Sequence, residues 1–216
     1  MARKRRTPDG GAATPTPWLD VGLAGADTRE QILRTAYALY WRHGIGAVGI
    51  DRIVSEAGVA KTSLKTSLYR HFGSKEGLVV AVIERHTEVW TRDWLQAEIT
   101  RRGKTADGQL RAIFDVFDDW FHEEPFEGCL FINTLTESHH QPAPVRDAAL
   151  AALAEIRSVV AEAAAAAGVR NPADFARRLQ MLMSGSITAA LQGDVDAAKR
   201  ARGVADLLFA QELPAK

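Results

Sequence analysis

The sequence has a single cysteine, Cys129, which excludes an intrachain disulfide framework and any Cys-x-x-Cys metal site. It has no apolar run of about eighteen residues, so nothing reads as a membrane span. The basic start Ala2-Arg3-Lys4-Arg5-Arg6 is not followed by an apolar stretch, which excludes a secretory signal. Net charge is also missing, because 27 Lys+Arg balance 27 Asp+Glu, and a uniformly basic nucleic-acid coat is thereby argued against. There is no Gly-rich phosphate loop, no His-Glu-x-x-His and no nucleophile elbow. The expectation is a non-enzymatic protein of the cytoplasm with no cofactor and no metal.

What is present is enough apolar material, 46% of 216 residues, to bury a full core. The charge is unevenly spread. Residues 1–90 hold 13 Lys+Arg and 9 Asp+Glu, a balance of +4, and residues 91–216 hold 14 and 18, a balance of −4. Such a division suits a DNA-facing part ahead of a part that avoids DNA.

The most informative stretch runs from Ile50 to Leu78. Ile50, Ile53, Val54 and Ala57 recur on one helix face, and Gly58 follows as a helix-ending residue. After the turn, Val59 can dock a second helix. Lys61, Thr62, Ser63, Lys65, Thr66, Ser67, Tyr69, Arg70 and His71 then offer donors, positive charge and aromatic edges, the groups that reach phosphates and base edges when a helix enters the major groove. The segments EAGVAKTS and SLYRHFGSKEGL, after a helix ending in His43-Gly44, resemble the TetR family of one-component transcriptional regulators.

The resemblance implies an all-α fold of about nine helices. It places a helix-turn-helix DNA-binding domain at 27–75 and an effector-binding and dimerisation domain at 76–216, while the composition of residues 1–26 reads as a disordered basic extension. It also implies that Tyr69, His71 and Lys75 clamp the phosphate backbone. The partners expected are a double-stranded DNA operator, a small-molecule effector and a second copy of the chain as a homodimer, with no membrane partner.

One departure stands out. Where the family pattern reads AGVAKTSLYRHF, this chain repeats four residues, so that Thr62-Ser63-Leu64-Lys65 precedes Thr66-Ser67-Leu68-Tyr69. Four extra helical residues add roughly 6 Å and roughly 40° of rotation. Two readings follow. Either the recognition helix is longer and its phosphate contacts are re-aimed, or the preceding turn absorbs the repeat and leaves Lys65, Thr66 and Ser67 as readers. The alternative function is a helical ligand-binding dimer whose DNA binding is impaired or re-aimed. Gly49 is a second departure, since it supplies no capping hydroxyl where relatives carry Ser or Thr.

The basic tail could follow phosphates or the minor groove, or remain solvated. Asp27 or Thr28 caps the first helix, with Glu30 in its first turn. Ser74 caps a long fourth helix reaching about Arg101. Leu110, Ile113, Phe114, Phe117, Trp120 and Phe121 define an aromatic helix face ended by Pro125. Phe126 to Asn133 reads as a central helix, and 144–167 as an Ala-rich one carrying Val145 and Leu150 inward.

Trp90, Trp94, Phe114, Phe117, Trp120, Phe121 and Phe131, with Asn133, His86, Glu137 or His139 for orientation, are the candidate effector site. Asn171-Pro172 opens the penultimate helix, and Asp194 or Asp196 caps the last. Leu179, Leu182, Met183, Ser186, Ile187, Ala190, Val204 and Leu208 are the candidate dimer interface, because in the family these two helices pair with their copies. Cys129 reads as a core thiol, and His139-His140 as a loop without metal-ligand spacing.

Overall fold

The computed structural model describes residues 27–57, 61–137 and 142–213, with the side chains of 61–64 outside the description. The basic extension, the Gly58-Val59 turn and His139-His140 therefore lie outside the described residues. The described residues form nine continuous helices and no strand.

The first is α1, Thr28–His43, capped by Asp27, whose carboxylate accepts from the Glu30 N–H at 2.8 Å. Helices α2, Ile50–Glu56, and α3, Lys61–Phe72, follow it. All three pack on one another around Ile32, Leu33, Val48, Ile53 and Leu68. Gly49 precedes α2 in extended conformation with no side-chain cap, as its lack of a hydroxyl requires. The Arg29 guanidinium lies 5.3 Å from the Phe72 ring centre and braces α1 on α3.

The fourth helix is continuous from Lys75 to Arg102 but not uniform. It begins as α4, Lys75–His86, capped by Ser74 accepting from Gly77 N–H. It widens into a π-helical segment, π1, Thr87–Leu95, and tightens again as α5, Gln96–Arg102. The Gln96 N–H bonds to the Thr91 carbonyl, five residues back, which is the defining π-helical bond. Nothing in the apolar periodicity foretells this segment.

Helix α6, Ala106–Phe121, is capped by Thr105 and so starts earlier than Leu110. Phe126 to Gly128 is a loop, and helix α7 occupies only Leu130–Glu137. Helix α8, Ala143–Ala166, lies at the centre, against α4, α6, α7 and the next helix, α9, Pro172–Leu191. Its buried Ala149, Ala152, Ala163 and Ala164 are small enough for close helix approach, while Leu150 points outward, 48% exposed. Helix α10, Ala197–Glu212, closes the bundle against α6 and α9, its Phe209 ring meeting Phe175 of α9 in a tilted contact and lying under the Arg111 guanidinium of α6. The buried apolar residues from Ile32 to Phe209 make one continuous core. Among the described residues, no helix is long and apolar enough to cross a membrane.

Candidate nucleic-acid interface and effector site

Helix α3 starts at Lys61 and runs unbroken to Phe72, so both copies of the repeated Thr-Ser-Leu lie within one helix. The longer-helix reading of the repeat is the one observed. Leu68 is fully buried and Ser67 is 9% exposed, which turns Ser67 toward the helical support and away from any groove. Lys65, Thr66, Tyr69, Arg70 and His71 face solvent. This division follows from the helical period, since residues 65, 69 and 70 lie opposite the packed side.

The Lys65 ammonium reaches the Asp51 carboxylate of α2 at 3.0 Å, and that bond raises its pKa. Arg70 lies 3.5 Å from His71 through their ring and guanidinium nitrogens. Lys75 is held differently, because its ammonium donates to the Ile45 carbonyl at 2.9 Å. It ties α4 to the loop between α1 and α2. The side chains of Lys61, Thr62 and Ser63 lie outside the described residues.

That loop carries a second attachment. The Glu137 carboxylate at the end of α7 accepts from the Ile45 N–H at 2.8 Å and from the Gly46 N–H at 2.5 Å. Gly44 has φ +79°, a conformation that favours glycine, and a Cβ on Gly44 or Gly46 would come within 2.7 or 2.9 Å of the same carboxylate. The two glycines let the carboxylate sit directly on the backbone. A residue more than ninety positions away thus joins the aromatic half of the protein to the helix-turn-helix.

The aromatic half is assembled around His86. Its ring lies between 5.1 and 6.1 Å from those of Tyr37, Trp41, Trp90 and Phe131, and its Nδ1 is 3.1 Å from the Tyr37 hydroxyl. Burial lowers the imidazole pKa to about 3, so His86 is neutral. Trp90 in turn meets Trp94, Phe117 and Trp120 at 5.6, 6.4 and 5.2 Å. The structure brings Trp90, Trp94, Phe117, Trp120 and Phe121 into one ring cluster, joined through His86 to Phe131. Phe114 is buried in the same core. Asn133 donates to the Glu127 carbonyl at 2.9 Å and so fastens the loop before α7. Cys129 is buried, which pushes its thiol up to about 11 and keeps it protonated.

Asp118, His122 and Asp196 carry ligand-capable atoms within 4.8 Å of one another. Lys199 already supplies positive charge there, at 3.5 Å from Asp118 and 2.8 Å from Asp196.

The penultimate helix corrects the expected interface. Leu179, Met183, Ser186, Ile187 and Ala190 are buried within the chain itself, because α9 turns that face toward α8 and α10. Leu182 and Leu208 are half-buried, and Val204 is 48% exposed. The most exposed large apolar residues of the last two helices are Met181, 74% exposed, and Leu207, 71% exposed, with open space beside Gly185 and Gly203.

Residues 32–82 match the family described as bacterial regulatory proteins, tetR family, and residues 106–205 match the tetracyclin repressor-like C-terminal domain. The chain belongs to the TetR family. Among curated relatives, the HTH-type transcriptional activator FasR of Mycolicibacterium smegmatis is 34% identical over 100 residues, 45% of this chain and 42% of that protein. The repressor NemR of Escherichia coli is 27% identical over 111 residues, 51% of this chain and 54% of its own. The chain thus spans about half the length of these curated relatives. A TetR-family regulator of Streptomyces coelicolor has a similar structure, with a TM-score of 0.73 and 28% identity over 86% of this chain and 95% of that one.

His86 and Glu137 were expected as orienting groups for an effector; what sequence reasoning missed is their partners, the Tyr37 hydroxyl and the Ile45 and Gly46 amides. The closely spaced Gly44 and Gly46 were the available signal, since they mark a backbone that something approaches.

Proposed function

We propose that this TetR-family chain is a ligand-responsive DNA-binding regulator, acting as a homodimeric repressor released from its operator by a small apolar or aromatic effector. The observation that carries this reading is the solvent-facing row Lys65, Tyr69, Arg70 and His71 on a helix supported from behind by α1 and α2. Residues 27–75 form the reading head and residues 76–216 the effector-binding and pairing body.

Dimerisation uses the outer face of α9 and α10, centred on Met181, Val204 and Leu207, with Leu182 and Leu208 at its edge. A two-fold pair then presents two copies of α3 to a palindromic site. Effector binding near π1 selects a different setting of α7, and the Glu137 attachment to Ile45 and Gly46 passes that change to the head. The relatives include both an activator and a repressor; release by an effector that remodels the head support favours repression.

The test is an electrophoretic shift on DNA upstream of the chain's own gene, using the parent and a deletion of Thr62 to Lys65. The parent shifts the DNA. The deletion lowers affinity by about tenfold or more, as expected when a basic contact and one helical turn are lost. A rise in affinity on deletion would instead support the second reading, favoured by the extended α3, of a ligand-binding dimer whose DNA reading the repeat has impaired.

A further inference from the structure

The inference here rests on the regulator reading above and concerns the chemistry of its effector. Thr87, Thr100, Thr134 and Thr188 each return their hydroxyl to the carbonyl four residues back, the bond that an α-helix offers a threonine. Thr91 does not. It is fully buried in π1, and its Oγ1 has no hydrogen-bond partner among the described residues.

The indole N–H groups of Trp90 and Trp94 share that condition. Both residues are at least nine-tenths buried, and neither Nε1 has a partner among the described residues. Three unpartnered polar groups thus fall within five residues, all on the π-helical segment π1. Buried donors are almost always partnered, and one left open is costly. π-helical turns are also frequent at functional sites.

The surroundings define what could partner them. The rings packed about Trp90 are those of His86, Trp94, Phe117 and Trp120, and His86 is neutral with its Nδ1 engaged by Tyr37. The buried carboxylate of Glu98, on the following turn, is already taken by Arg101 and Arg102. Rings select a flat apolar body, indole groups donate and cannot accept, and burying an ionised ligand among rings and a neutral imidazole is costly unless a countercharge is paired with it.

We propose that the Trp90 and Trp94 indole N–H groups are a donor pair for an uncharged aromatic effector bearing a carbonyl-type oxygen, with the Thr91 hydroxyl as a third partner. The acceptor oxygen is what distinguishes this effector from a plain hydrocarbon, and the absence of charge is what distinguishes it from an aromatic acid.

Isothermal titration of the full chain with 2-acetylnaphthalene, 2-ethylnaphthalene and 2-naphthoate tests this, because the three share a ring body and differ in the oxygen and its charge. The acetyl compound should bind about tenfold tighter than the ethyl compound, as a recovered hydrogen bond to a buried donor implies, and naphthoate should bind weakest. Trp94→Phe and Trp90→Phe should each narrow the gap between the acetyl and ethyl compounds, the ratio of the two affinities being read whatever the loss of ring surface does to both. Equal binding of the acetyl and ethyl compounds, tightest binding of naphthoate, or a gap that survives both substitutions would overturn the proposal. If a variant fails to fold, the ranking on the parent decides alone. Should none of the three bind while the parent still shifts DNA, this inference falls and the regulator reading stands.

Discussion

The two parts of the molecule use polar groups in opposite ways. In the head, Lys65, Tyr69, Arg70 and His71 stand in solvent on the outer side of α3, where a long-range attraction to phosphate would act in the proposed function and where a side chain can be exchanged at little cost to the fold. In the body, Trp90, Thr91, Trp94 and His86 are buried, and every polar group there has to be partnered or bear the cost of burial. A surface that reads a charged polymer can be assembled from residue types alone. A pocket that selects a small molecule depends on which donors are left open, and that is set by helix geometry.

The sharpest separation is expected from core truncation. Phe131→Ala, at a ring with no exposed surface beside His86, should lower unfolding free energy by about 3–5 kcal/mol, read by urea denaturation. An effect below about 1 kcal/mol would mean that the aromatic half is loosely packed and that the contrast with the head is overstated.

Acid should act on the body through His86. Its pKa is about 3 in the folded chain against an ordinary 6.5, so on lowering pH the unfolded chain takes up a proton that the folded chain refuses. Stability from this residue therefore falls as pH drops through 6.5 and stops falling near 3. The slope is about 1.4 kcal/mol per pH unit. His86→Phe should flatten the parent's decline between pH 6 and 4 in thermal melts (about two pH units of that slope), whereas an unchanged decline would show that the imidazole is protonated in place.

Arg70→Ala should leave the melting midpoint almost unaltered and weaken all DNA alike, lowering the log–log salt slope by about 1. A selective loss on one sequence would make Arg70 a base reader and sharpen the account of the head. The smallest effect belongs to the joint between the parts. Glu137→Ala should speed amide exchange at Ile45 and Gly46, with the Ile53 and Leu68 amides as protected as before. Unchanged exchange at Ile45 and Gly46 would show that the head is held by packing alone.

Much of this was legible in the chain. Asp27, Ser74 and Asn171 cap helices as their positions suggest, whereas the helix expected over Phe126 to Asn133 is displaced to Leu130–Glu137 by the loop before it. Periodicity also isolated the faces of α9, yet it could not say which partner covers which. Leu179 and Met183 are covered by the chain's own helices, so the outward face had to be found from the exposure of Met181 and Leu207. The π-helical turn was invisible because Trp90 and Trp94, four residues apart, suit an α-helix equally well. The contact of Glu137 with the Ile45 and Gly46 amides was hidden for another reason: backbone amides carry no side-chain signature.

The central claim is that the outer side of α3 reads DNA in two copies. Selection of duplexes from random sequence by the full chain, followed by anisotropy titration of the selected site, tests it directly. The account predicts an inverted repeat with half-site centres about 34 Å apart and a clear loss of affinity in Arg70→Ala. No enriched sequence, together with equal binding by the parent and Arg70→Ala, would contradict it.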